Sequence, residues 1–234
     1  MEKIEFKNKY VGAIVTDDFR TSTIFKNAGI DFCCGGRQTV SEACADHQIN
    51  IAELEKQISE LQKSPVSPSL DFKEWELPFL MDYIVNTHHK YVIKTLPDLV
   101  FYTRKIAEVH GDHHPELIDI AQKITEVATE LEQHLKNEEE VLFPAIRSFL
   151  ISKNEKDAKT IESEITRMFG EHDFAGGTLD EINHITEGYK LPDDACNTWH
   201  VAFKTLEQFE DDIHVHVHLE NNILFPRALE LSKK

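Results

Sequence analysis

The chain has 234 residues, 41% apolar and 29% charged, with a formal net charge of -17. That length allows one ordinary domain plus a small one, with enough apolar residues for a buried core and enough charge for a soluble surface. The acidic balance argues against nucleic acid or anionic membrane as a partner, since both attract basic faces, and no run nears the roughly 20 apolar residues of a membrane-spanning helix.

The first ten residues, MEKIEFKNKY, hold no apolar core of signal-peptide length. Four Cys, two of them adjacent (Cys33, Cys34), do not make a disulfide framework. Both features point to a reducing cytoplasm. Thr16-Asp17-Asp18 supplies helix-capping candidates, and Ile24-Phe25 followed by Gly29 marks a helix with a left-handed stop. Asp31-Phe32-Cys33-Cys34-Gly35-Gly36 follows as a tight, strand-like turn. A second helix is expected from near Thr39, and Asn50 with Glu53 resembles a capping box for a third, ending near Gln62. Residues 1–62 thus read as a small helical domain. Lys63-Ser64-Pro65-Val66-Ser67-Pro68-Ser69 has linker composition, so a linker over 63–73 and a second domain over 74–234 are expected.

From about residue 74 the pattern is helical, with gaps near 110–115, 152–157 and 188–194. Four long segments joined by short connections predict an all-α, up-down four-helix bundle. The first carries Val85, His89, Val92, Leu96 and Leu99, and Pro97 is expected to kink or shorten it. A rival stripe through Met81, Ile84, His88 and Tyr91 decays sooner, which favours His89. The second runs Leu117, Ile120, Ile124, Val127, Leu131, His134, Glu138, Val141, Ala145. The third gives Ile161, Ile165, Met168, His172, Ala175, Leu179, Ile182, and the fourth Leu206, Phe209, Ile213, His216, Glu220, Ile223.

One motif therefore occurs twice. His134 precedes Glu138 by four, His216 precedes Glu220 by four, and each pair runs into an aliphatic-Leu-Phe-Pro tail, 82 positions apart. Residues four apart share a helix face. His89 and His172, 83 apart, extend the repeat to a duplicated two-helix unit. One histidine on an apolar stripe is ordinarily a satisfied core residue, and one His–Glu pair is ordinarily a surface ion pair. Four core-facing imidazoles and two core-facing carboxylates in duplicated order are another matter, because a buried carboxylate must be paired, bonded or bound to a metal. The nitrogen/oxygen set His89, His134, Glu138, His172, His216, Glu220 suits iron or manganese, and zinc less well for a paired site. With both Glu bridging, two His on each metal and an oxo or hydroxo bridge, an octahedral ion keeps about one open position. Glu130 and Glu171 are candidates for orienting the imidazoles, Glu139 is expected to point off the stripe, and the remaining histidines are read as non-ligands.

The His-first order and four-residue spacing differ from the Glu-x-x-His motifs of ferritin-like bundles. The pattern instead resembles the haemerythrin-like four-helix bundle. Over the whole chain, with Asp31-Phe32-Cys33-Cys34-Gly35-Gly36, Leu96-Pro97, Glu171-His172-Asp173 and the run from Leu219 to Leu229, it resembles the iron-sulfur cluster repair family of di-iron proteins. The resemblance implies a non-haem di-iron site on those six residues, and a cytoplasmic role restoring clusters damaged by nitric oxide or peroxide. Damaged iron-sulfur proteins would be its partners, with NO, O2 or peroxide as small ligands, acting as a monomer or homodimer. It also implies a functional role for Cys33 and Cys34 in handling iron or electrons or reacting with a nitrosyl. Gly35 and Gly36 keep the backbone open there, as an accessible thiol requires. Cys44 and Cys196 read as ordinary buried thiols. Besides repair, two other readings of the open position stand: reduction of NO or peroxide, and a non-enzymatic sensor or reservoir of O2, NO or iron.

Overall fold

The computed structural model describes residues 6–67 and 70–233; Met1–Glu5, Lys234, and Pro68 and Ser69 of the expected linker lie outside the described residues. Two compact units emerge. One runs up to Leu80 and takes in Val217–Leu231, and the other spans Met81–His216 with the last residues from Ser232.

In the first unit, α1 (Val11–Asp17), α2 (Ser22–Asn27), α3 (Val40–Asp46) and α4 (Ile51–Leu61) are short helices with local start and stop signals. Asp18 caps the 3-10 turn Phe19–Thr21 by accepting the Arg20 N–H. Gly29, at φ 68°, ends α2 in the left-handed conformation that glycine adopts without strain. The capping box forms one helix earlier than expected, between Thr39 and Glu42. Asn50 caps α4 through the Ala52 N–H instead. Helix α1, which the periodicity does not reveal, buries Val11, Ile14 and Val15. The described part of the 63–73 segment is tied down: Arg20 donates to the Ser64 hydroxyl and carbonyl, at 2.8 and 2.9 Å, while Phe72 packs edge-on against Phe19 and Trp75.

The second stretch of chain is all helix: α5 (Leu77–Ile84), α6 (Lys90–His110), α7 (Glu116–Asn137), α8 (Phe143–Ser152), α9 (Glu155–Ile185), α10 (Asn197–Leu219) and α11 (Phe225–Ser232). Three π-turns, Val85–His89, Glu138–Leu142 and Glu220–Leu224, run α5 into α6, α7 into α8 and α10 into α11. The result is the expected four rods with short connections. Within the second unit α6 packs on α7, and α7 and α8 pack on α9. Tyr91–Phe209 and His110–Trp199 ring contacts bind α10 to α6, and the Asn183 amide donating to Glu210 at 2.9 Å binds it to α9.

Two expectations are corrected here, a shortening at Pro97 and a buried stripe through Val141. Pro97 does not shorten its helix, because α6 runs through it. The carbonyl that Pro97 leaves without a donor belongs to Ile93, which is half exposed, so water can satisfy it. Val141 does not continue the buried stripe of α7 but is exposed, and Leu142 is buried instead. A π-turn inserts one residue into the helical count, so the core face moves on by one position. Pro144 and Pro226 each follow such a turn closely, and the wider turn relieves the clash of the ring with the carbonyl four residues back.

Candidate metal centre

The π-turns place the chemistry. His89 ends the first, Glu138 opens the second and Glu220 opens the third. His134 lies in the last turn of α7, His172 midway along α9 and His216 near the end of α10. All six are at most 2% exposed. The first π-turn also explains the His88-His89 doublet. Met81, Ile84 and His88 are buried before the inserted residue, and His89, Val92, Leu96 and Leu99 are buried after it.

In the second unit, ligand atoms of His89, Glu138 and His216 lie within 4.8 Å of one another, as do those of His134, Glu138 and His172. Oε2 of Glu138 is 3.4 Å from Nε2 of His89 and 3.4 Å from Nε2 of His134. Nε2 of His172 faces Nε2 of His134 at 3.1 Å. Glu220 stands one turn beyond His216 on the same rod, and a spacing of four sets the two on one helix face.

The outer nitrogens fix how these groups face inward. Nδ1 of His134 is 2.7 Å from Oε2 of Glu171, and Nδ1 of His89 is 2.8 Å from Oε1 of Glu139. A carboxylate only accepts, so each imidazole carries its proton on Nδ1 and turns a bare Nε2 lone pair inward. The His134 hydrogen bond holds the Glu171 carboxyl below its ordinary range. The Glu138 oxygens, both buried, accept no hydrogen bond. Two imidazole lone pairs thus face one carboxylate oxygen with no hydrogen between them, which is repulsive unless a cation sits among them. The residues fit a metal. With bonds of about 2.1 Å, neighbouring ligands of an octahedral ion stand about 3 Å apart, close to the His134–His172 separation.

Other expected residues have other places. Glu130 is exposed. Glu139, expected to point away, instead orients His89, because the π-turn shifts its register. The helical stripe held no signal for it. His88 Nδ1 donates to Asp212 Oδ1, 2.9 Å away, and the ring lies parallel over His216 with centroids 5.6 Å apart. His214 is 3.8 Å from Asp180. Cys44 is buried as expected, but Cys196 is only half-buried.

In the first unit the Cys33-Cys34 segment is not strand-like. Cys34 has helical backbone angles and precedes a 3-10 turn at Gly35–Arg37. Asp31 organises it: Oδ1 accepts from the Cys33 N–H at 2.7 Å and the Cys33 thiol at 2.9 Å, and Oδ2 from the Gly35 N–H at 2.6 Å. Asn222 donates to the Cys33 carbonyl at 3.1 Å, and His218 Nδ1 lies 3.3 Å from the Phe32 carbonyl. Burial pushes His218 down to about 4, so it is a neutral donor there. Cys33 is buried and Cys34 half-buried, which agrees with the unequal exposure expected of neighbours. The neighbouring Cys34 sulfur and then burial push the Cys33 thiol well above its usual range. The fit around Asn222 is close: a side chain on Gly12 would collide with its amide oxygen.

Comparison with known proteins covers both parts of the chain. Residues 80–228 match the hemerythrin HHE cation binding domain, and residues 7–62 match ScdA_N, a domain of unknown function (DUF542). The chain is 35% identical to the iron-sulfur cluster repair protein YtfE of Yersinia pseudotuberculosis serotype O:1b, over 97% of this chain and 99% of that protein. It is 34% identical, with the same coverage, to the YtfE of Yersinia pestis strain Pestoides F. Among the described residues no helix is long and apolar enough to cross a membrane.

Proposed function

The chain belongs to the iron-sulfur cluster repair family, with a haemerythrin-type cation binding domain, and from that premise we propose that it repairs clusters damaged by nitric oxide or oxidative stress. The proposed cofactor is a pair of non-haem iron ions held by His89, His134, Glu138, His172, His216 and Glu220. Glu138 and Glu220 would supply its carboxylate oxygens, and Glu139 and Glu171 would orient His89 and His134. Bound there, iron supplies redox chemistry and room for a small ligand such as NO, O2 or peroxide. The chain's own part is to hold the bare imidazole nitrogens inward, keep the carboxylates dry and exclude bulk water.

The observation that carries this reading is the Glu138 oxygen 3.4 Å from two bare imidazole nitrogens. Such a cluster is unstable as a core and favourable as a cation cage. The division of labour is part of the same proposal: residues 1–62 carry the reactive pair Cys33 and Cys34, 63–73 connect, and 74–234 store the iron. The clients are damaged iron-sulfur proteins in the cytoplasm, and the traffic is delivery of iron or removal of NO. The test is to incubate the iron-loaded protein with an NO-inactivated aconitase-type enzyme. The reading expects recovery well beyond that given by the same amount of free iron, and equal recovery contradicts it.

A further inference from the structure

The Cys-Cys segment is more than a reactive pair. We propose that Asp31, Cys33 and Cys34 form a second metal site, separate in its ligands from the bundle's, that takes a thiophilic divalent ion such as Fe2+ and releases it again. This deepens the proposed function and rests on the reading of Cys33 and Cys34 as a functional pair that handles iron.

The geometry is that of a ligand set already gathered. Sulfurs of adjacent residues ordinarily diverge, but the helical backbone at Cys34 brings the two Sγ atoms to 3.9 Å. With metal–sulfur bonds of about 2.3 Å, the sulfur–sulfur edge of a tetrahedral site is about 3.8 Å, so the two thiols need hardly move. Asp31 adds the third donor from within hydrogen-bond distance of Cys33 Sγ, and the three ligand atoms lie within 4.8 Å of one another. Its carboxylate is held by the N–H groups of Cys33 and Gly35, the kind of outer hydrogen bonding that orients a ligating carboxylate. Asn222 fixes the loop from the other side through the Cys33 carbonyl.

The composition of the site speaks for transit rather than for structure. Structural thiolate sites close four protein ligands around the ion, whereas three leave a position open for exchange. Cys33 is buried and Cys34 half-buried, so the ion has an entry on the Cys34 side. On binding, the ion replaces the thiol protons, which pass to solvent, and the same protons return on release; no oxidant or reductant is needed.

Cobalt(II) is the probe, because thiolate-bound Co2+ shows an intense near-ultraviolet charge-transfer band that a His/Glu site lacks. The metal-free full-length protein is titrated anaerobically with Co2+. The expected result is a charge-transfer band whose final amplitude corresponds to about one thiolate-bound ion per chain, whatever the His/Glu cage takes up, absent in Cys34→Ser and retained in Cys196→Ser. Asp31→Asn is expected to weaken the affinity read from that band at least ~10-fold. No band in the unaltered protein, a band surviving Cys34→Ser, or an unchanged affinity in Asp31→Asn overturns the site. Repair is not read in this titration. A missing band therefore leaves the repair proposal standing, and a band without repair counts against that proposal alone.

Discussion

Nδ1 of His89 and Oε1 of Glu139 stand 2.8 Å apart, which makes a half-exposed glutamate the partner that aims a buried imidazole. Glu171 does the same for His134 from another helix, at 2.7 Å. Removing such a partner typically lowers metal affinity 10–100-fold. Glu139→Gln is therefore expected to lower iron affinity about 10-fold or more, while Glu140→Gln, at an exposed position of the same turn, leaves it unchanged. Chelator competition on the two variants checks this, and equal affinities would remove Glu139 from the site.

Glu138 predicts a change of sign. Without metal its oxygens are buried, accept no hydrogen bond and face bare nitrogens. Glu138→Gln relieves that burial, so the metal-free variant is expected to be more stable than its parent by about 1–3 kcal/mol. Iron loading should stabilise the parent strongly and the variant little, since a ligand that binds only the folded state raises its stability. Denaturant unfolding of both proteins with and without iron gives all four numbers. A variant that is less stable in both states would mean the carboxylate is satisfied by something other than a cation.

The π-turns predict an asymmetry between deletions. Removing Val141, an exposed apolar residue in Glu138–Leu142, leaves a plain α-helical turn with α8 still in register. The variant is expected to fold with its helicity intact and to bind iron poorly. Removing Glu164 from the uninterrupted α9 rotates His172 by roughly 100° against the rest of its seam, and should destabilise the fold itself. Circular dichroism melts of the two deletions decide it; similar losses would argue that the π-turn has no slack.

His114 gives the pH dependence. Its Nδ1 is 3.0 Å from Glu116 and its Nε2 3.2 Å from Asp194, and Glu116 first, then Asp194, hold its pKa above the ordinary value. Asp194 is held below its ordinary value by the same contact. A raised imidazole contributes stability that is full below about pH 6.5 and lost as pH rises through the raised value. The lowered carboxyl contributes above about pH 4 and loses its part on acidification. The Tm difference between the metal-free protein and its His114→Gln variant should be largest near pH 5–6 and shrink by pH 8–9. A difference that grows toward alkaline pH contradicts the pairing.

Much of this was legible from periodicity. The seam from Ile161 to Ile182 is buried at every position named, because the uninterrupted α9 keeps its phase, and the seam from Leu206 stays buried through Glu220 and Ile223, within the third π-turn. What the spacing could not show is where the phase slips. Val141 is exposed, Glu139 reaches His89, and the rival candidates His88 and His89 are both buried, all because a π-turn adds one residue to the count. The clue was the proline two residues beyond two of these turns, at Pro144 and Pro226. The Cys segment was found by its composition, but its helical backbone was not, since the Asp31 clamp that imposes it acts through hydrogen bonds rather than through an apolar pattern.

The most direct test of the cation cage is metal analysis of the full chain purified without added metal. The proposed set of six donors predicts about two irons per chain, falling to less than half in Glu138→Ala. Iron absent from the purified protein, or bound equally well after that substitution, would contradict the account.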